Sequence, residues 1–324
     1  MSLVKPSILV TGGTGFVGQA LINHLLIDGY HIVAAVRSKK SLLGLDVEKV
    51  NIKTISATTD WKMALKGIDV VIHCAARVHI MNDSVLDPLA EFRKVNTVGT
   101  FSLARQAAGA GIKRFVFISS IKVNGEMTAE HQPFTSEDSF MPEDPYGLSK
   151  YEAEQGLLAI AKETGMEVVI IRPPLVYASG VKANFALMIK WINKGVPLPL
   201  GAIHNQRSLV ALENLVSFIS HCIDHPKAAN EVFLISDGED VSTSELLRKV
   251  AKAFGKQSLL IPVPVWLMTL VAKLMGKVDM ANRLFGSLQV DSSKARDLLG
   301  WKPMITMDKQ LKKVADAYLN EKGI

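Results

Sequence analysis

Short, almost wholly apolar runs alternate along the first half of the chain with longer stretches in which apolar residues recur every three or four positions. Ile8 to Val10 is the first such run. It breaks at Thr11 into glycines at positions 12, 13, 15 and 18, after which Gln19-Ala-Leu-Ile-Asn-His-Leu-Leu takes up helical spacing. The pattern predicts strand, tight turn and helix. Gly29 closes a turn and His31–Val36 predicts a second strand; Val50–Ser56 predicts a third, and Trp61–Lys66 a short helix. Gly67–Ala76 reads as a buried strand running into small residues, within which His73 is a packed core histidine. Val95, Val98, Phe101, Leu103 and Ala107 mark a helix between Asp87 and Gly111, interrupted by Asn96 and Gly99. Lys113–Ser120 is a further strand, and Pro145 opens a helix reaching Thr164.

Strands alternating with helices imply an α/β fold: a doubly wound parallel (Rossmann) sheet, whose ligands lie beyond the carboxyl ends of its strands. The expected division is a dinucleotide-binding part over 1–175 and a smaller C-terminal α/β substrate domain over 176–324, from which a segment returns to the first. The loop Gly12-Gly-Thr14-Gly15-Phe16-Val17-Gly18 then acquires a chemical meaning. Glycine is needed where backbone takes positive φ or passes close to a ligand, and a helix N-terminus offers free N–H groups to an anion. The expected ligand is a pyrophosphate. Ala75 and Ala76 fall at another strand end, where small side chains let a cofactor approach. An NAD site usually carries an acid after the second strand; here Arg37 stands there, followed by Ser38, Lys39 and Lys40. The expected cofactor is NAD(H) or NADP(H), with Arg37 favouring NADP(H) by pairing with a 2′-phosphate.

Composition narrows the class. At 324 residues, 48% hydrophobic and 21% charged, the chain is long enough for one large or two moderate globular domains. A net charge of +6 spread along the chain suits small anions and excludes dedicated nucleic-acid binding. Two cysteines build no disulfide framework, and a reducing, cytoplasmic setting is expected. No metal is expected. Ile261 to Met275 is the one membrane-like stretch, but it holds two prolines and Lys273 and its uncharged part falls short of the ~20 apolar residues of a span. A buried or interface helix is expected there, with shallow peripheral association as the alternative.

Tyr146 and Lys150 stand four apart on the predicted helix, so their side chains share a face. A phenol with a pKa near ~10 is a poor base, and an adjacent ammonium stabilises its phenolate. Ser120, at a strand end, is placed to hold a substrate oxygen.

These motifs together resemble the extended branch of the short-chain dehydrogenase/reductase superfamily, which contains nucleotide-sugar epimerases, dehydratases and reductases. The matching residues are Thr11-Gly-Gly-Thr-Gly-Phe-Val-Gly18, His73-Cys-Ala-Ala76, Asn96-Thr-Val-Gly-Thr100, Ser119-Ser-Ile-Lys-Val-Asn-Gly125, Tyr146-Gly-Leu-Ser-Lys150 and Arg172-Pro-Pro-Leu-Val-Tyr177. The resemblance implies Tyr146 as acid/base, Lys150 on the nicotinamide ribose, Ser120 polarising the substrate oxygen and Asn96 in the supporting network. It also implies that Pro173 to Val176 border the nicotinamide, and that Asn184, Arg207 and Arg283 meet the substrate's diphosphate and base. Asp291 to Trp301 resembles a structural C-terminal signature of the family. Arg37, Ala57 and Ala178-Ser179 depart from its usual pattern.

The function that the resemblance implies is hydride chemistry at C4 of a UDP-linked hexose or N-acetylhexosamine, of the UDP-glucose 4-epimerase type, in polysaccharide synthesis. The alternative is an NADPH-dependent reductase of a UDP-4-keto-6-deoxy sugar, and a more remote one a non-catalytic cofactor-binding protein. A dehydratase would carry an acidic pair where this chain has Ile121-Lys122. The helices around Asn96–Ala110 and Tyr146–Thr164 resemble the pair that forms a dimer interface, so a homodimer is expected.

Overall fold

The structure, a computed structural model, describes residues 5–38, 47–78, 87–138, 140–181 and 184–322. Its first half runs β1 (Ile8–Thr11), α1 (Phe16–Ile27), β2 (Ile32–Val36), β3 (Glu48–Asn51), β4 (Val70–His73), α2 (Pro88–Phe92), α3 (Gly99–Gly109), β5 (Arg114–Ile118), α4 (Pro145–Thr164), β6 (Glu167–Arg172) and β7 (Leu175–Tyr177). The second half continues with α5 (Asn184–Asn193), β8 (Leu209–Ala211), α6 (Leu212–His221), β9 (Val232–Leu234) and α7 (Thr243–Ala253). After these come α8 (Val265–Leu274), α9 (Val278–Phe285), α10 (Ser293–Leu299) and α11 (Met307–Lys322).

Seven strands form one sheet in the order β3-β2-β1-β4-β5-β6-β9, every pair parallel. β1, β2, β4 and β5 are buried along their whole length, as strands covered on both faces must be, and so read as unbroken apolar runs. Side chains alternate between two cores. Ile8 and Val10 join Leu21, Ile22 and Leu25 of α1 and Phe218 of α6 on one face; Leu9 joins Leu103 of α3 and Leu157 of α4 on the other. The winding reverses between β1 and β4, which opens a crevice at their carboxyl ends. β7 and β8 make a separate parallel pair, and a third core below them gathers Tyr177, Phe185, Leu209, Leu247 and Leu311.

Three local expectations change. The third strand is Glu48–Asn51, a partly exposed edge that starts earlier than Val50 and ends before Ser56. Trp61–Lys66 is a run of turns in which Leu65 N donates to Trp61 O at 3.0 Å, and Gln106 of α3 pins its start. Its Oε1 accepts from Trp61 N at 2.8 Å and its Nε2 donates to Thr59 O at 2.8 Å. The segment after Asp87 is α2, then a π-helical turn over Arg93–Val98, then α3. The stretch after Ile261 becomes α8, none of whose residues is fully buried. No described helix is long and apolar enough to cross a membrane.

Candidate functional site

Gly12 leaves β1 at φ +71°, and a Cβ there would stand 2.6 Å from Ala75 N, so the loop must lie against the strand-end residues Cys74 and Ala75, with Ala76 next in the chain. A Cβ on Gly18 would run into Gly12 O, and Gly15 N donates back to Gly12 O at 2.9 Å. Gly15 caps α1 without a side chain, and both it and Thr14 are exposed, while Phe16 and Val17 pack on the first core. A glycine cradle leading into an uncapped helix N-terminus fits the pyrophosphate of a dinucleotide. Arg37 is exposed just beyond β2; Lys39 and Lys40 lie outside the described residues.

The carboxyl ends of β4 and β5 carry the polar chemistry. Asp144 opens α4, its side chain accepting from Gly147 N at 2.7 Å, with Pro145 at the first helical position. Tyr146 follows in the first turn, its ring edge-on to Phe92 at 5.8 Å. Burial and the Asp144 carboxylate push the phenol up to about 12, against a bond from the Ser120 hydroxyl that favours the phenolate. Lys150, buried one turn along, donates to Ile118 O at 2.8 Å and lies 4.2 Å from the centre of the Phe117 ring. Desolvation brings it down to about 8, with Glu154 acting in the opposite sense. The Ser120 hydroxyl thus acts on the Tyr146 phenol, while Lys150 is held against β5.

The π-turn turns Asn96 inward. Asn96 accepts from Arg77 N at 2.8 Å and donates to Arg77 O and to Ser149 Oγ, both at 3.0 Å, tying the loop after β4 to the first turn of α4. Thr100 donates to Asn96 O at 2.6 Å, so His73 Nε2, 3.1 Å away, is its donor and His73 Nδ1 accepts from Thr11 at 2.6 Å. Burial, helped by Lys150, lowers His73 to about 3, and the ring is neutral.

Sequence reasoning missed a second buried group. Arg172 at the end of β6 pairs with Glu154 of α4 at 2.6 Å, Glu154 accepts from Ser119 Oγ, and Arg172 donates to Asn124 Oδ1 at 3.0 Å. Glu154 sits one helical turn after Lys150 and eight residues after Tyr146. That spacing was the available signal, but its partner lies on another strand.

Just past β6, Pro173 is buried, its carbonyl accepting from Ile121 N at 3.0 Å, and Val176 is half-buried in β7. Arg207 and Arg283 come together: Arg207 donates to Arg283 O at 2.9 Å and to Gly286 O at 3.0 Å. Its guanidinium thereby satisfies carbonyls at the end of α9, while the Arg283 side chain is exposed. Asn184 begins α5. Backbone bonds from Thr128 N to Ser287 O and from Phe134 N to Gln289 O, each 2.9 Å, join this region to the loop beyond Ser120. Among the described residues no group of His, Cys, Asp and Glu is arranged to hold a metal ion.

Residues 8–236 match the model of the NAD dependent epimerase/dehydratase family. The chain is 52% identical to a UDP-glucose 4-epimerase of Vibrio cholerae over 318 residues, 97% of this chain and 95% of that protein. Two solved structures share the fold. UDP-glucose 4-epimerase of Thermotoga maritima, determined with UDP-glucose, has a TM-score of 0.74 at 21% identity, covering 98% of this chain and 99% of that one. UDP-glucuronic acid 4-epimerase of Bacillus cereus, in complex with NAD, has a TM-score of 0.76 at 22% identity, covering 97% and 99%. With a glycine cradle at the switch point of a parallel sheet and a near full-length relative of this kind, the chain belongs to the NAD dependent epimerase/dehydratase family.

Proposed function

We propose that the protein catalyses nicotinamide-dependent hydride chemistry at C4 of a UDP-linked hexose or N-acetylhexosamine, inverting that centre as a UDP-glucose 4-epimerase does. The observation that carries this reading is the 52% identity to such an enzyme across 97% of the chain. A bound nicotinamide supplies the acceptance and return of the C4 hydride. The chain's own part is proton handling and positioning. Tyr146 Oη exchanges a proton with the C4 oxygen, and Ser120, whose hydroxyl acts on that phenol, orients the same oxygen. Burial keeps Tyr146 protonated at rest, so the phenol is ready to donate to a 4-keto oxygen. In the opposite direction the Lys150 ammonium favours the phenolate. Asn96 fixes the first turn of α4, and so the placement of Tyr146, through Ser149.

In this reading Gly12, Thr14, Gly15, Phe16, Val17, Gly18, Ala75, Ala76, Lys150, Pro173 and Val176 surround the dinucleotide, and Asn184, Arg207 and Arg283 the UDP. Residues 1–175 hold the cofactor and 176–324 the sugar nucleotide, with 232–234 returned to the sheet. A homodimer through α3 and α4, and a cytoplasmic setting supported by two unpaired cysteines, complete the proposal.

The exposed Arg37, standing where an acid would hold the ribose hydroxyls of NAD, favours a second reading: a reductase of a UDP-4-keto-6-deoxy sugar that takes NADPH afresh each turnover. Nucleotide released by denaturing the purified protein, with titration of the native protein by NAD and NADPH, separates the two. Retained NAD supports the epimerase. An empty protein preferring NADPH overturns it in favour of the reductase.

A further inference from the structure

α8 is apolar on two opposite sides. Val265, Met268, Thr269 and Ala272 recur at helical spacing and are partly buried, Val265 and Met268 against the third core. The other side presents Trp266, Leu270, Val271 and Leu274 at 69%, 48%, 47% and 82% exposure. A helix lying on a core needs only the first of these stripes. The segment before it extends the second: Leu259 and Ile261 are 49% and 51% exposed. Leu198 N donates to Leu259 O and Ile261 N to Leu198 O, both at 2.8 Å, which places alongside it the turn bearing the partly exposed Trp191 and Val196. An apolar patch this continuous marks an interaction surface.

Charge decides what covers it. Lys273 and Lys277 at the end of α8 are exposed, as is Lys256, whose Nζ donates to Asn193 O beside the Val196 turn, and between Glu245 and Asp279 the chain contains no carboxylate. A second copy docked by two-fold symmetry through the same patch would set these ammonium groups against one another, whereas an anionic lipid surface neutralises them. The ten residues of α8 are too few to cross a bilayer, which takes about 20. In the plane of the headgroups, however, Leu270 and Leu274 reach the acyl boundary, Trp266 takes the interfacial position that indole favours, and Lys273 and Lys277 extend to phosphates.

We propose that α8 and the Leu259–Pro264 segment form a membrane-contact face that seats this protein on an anionic bilayer. The inference is independent of the sugar chemistry, since its test reads vesicle binding and not turnover. The full-length protein is sedimented with vesicles of phosphatidylcholine alone and of equal parts phosphatidylcholine and phosphatidylglycerol. Binding to the mixed vesicles is expected, weakened by added salt, and about tenfold or more weaker in the double variant Leu270→Glu/Leu274→Glu, whose melting temperature stays unchanged because both side chains face solvent. Failure to bind mixed vesicles, or equal binding by the double variant, overturns the proposal. So does a drop in oligomer mass on making the double variant, which would assign the face to a second copy.

Discussion

Tyr146 has a single titratable atom to offer, and its surroundings hold that atom protonated: burial and Asp144 outweigh the Ser120 hydroxyl. Tyr146→Phe removes the proton and little else, since the ring contact with Phe92 survives. Turnover should fall by about 10²–10⁴-fold with cofactor affinity unchanged within a factor of a few; comparable loss of both would place the residue in binding. His73 writes a different signature, on stability. Its pKa is about 3 in the folded protein against 6.5 for the free side chain, so between those values the unfolded chain binds a proton that the folded one does not. Stability therefore declines as pH falls from about 6.5 toward 3, by up to ~1.4 kcal/mol per unit from this group. Lys150 acts at the other end. Lowered to about 8 from 10.5, it carries fewer protons folded than unfolded in that window, so its contribution to stability improves as pH rises across it. Melting curves of the cofactor-free protein across both windows, compared with His73→Asn and Lys150→Met, measure the two slopes; variants with unchanged slopes would refute the assignment.

At the scale of elements, α4 is the piece everything else holds. Asp144 and Pro145 start it, Asn96 in the π-turn grips its first turn through Ser149, and Arg172 reaches it from β6 through Glu154. Both carboxylate and guanidinium are at most 5% exposed, so neither has water to fall back on. Glu154→Leu strands the Arg172 charge and should cost about 3–5 kcal/mol of unfolding free energy, with the double replacement Glu154→Leu/Arg172→Met recovering much of it. Denaturant titration of the three proteins checks this, and a double variant no more stable than the single would show that the pair does more than neutralise itself. The helix, its opening proline and the Tyr/Lys spacing were legible in the chain because they are local. The π-turn was legible only as an interruption at Asn96 and Gly99, since the bond that uses the extra residue runs 53 positions ahead to Ser149.

The molecule as a whole is a sheet whose carboxyl end carries the cradle and the polar cluster, closed from one side by the 286–290 segment. α3 and α4 lie side by side on its flank, joined by Arg105 with Glu163, and the π-turn before α3 is joined to α4 by Arg93 with Glu152. Sedimentation at micromolar concentration should give twice the chain mass, and a clean monomer would end the proposal of a dimer through these helices. Taken alone, the amino-acid sequence determined the parallel doubly wound sheet, the glycine cradle and the placement of Ser120 beyond a strand and of Tyr146 and Lys150 on one helix, because periodicity, glycine placement and a four-residue spacing are properties of short stretches. Only the tertiary structure decided that Gln106 pins the start of the Trp61–Lys66 turns, that Glu154 meets Arg172, and that Arg207 turns its Nη1 to the end of α9. It also decided that the second apolar side of α8 finds no cover within the described chain. Each of these turns on which distant group arrives to satisfy a polar or apolar surface, and local spacing carries no record of that.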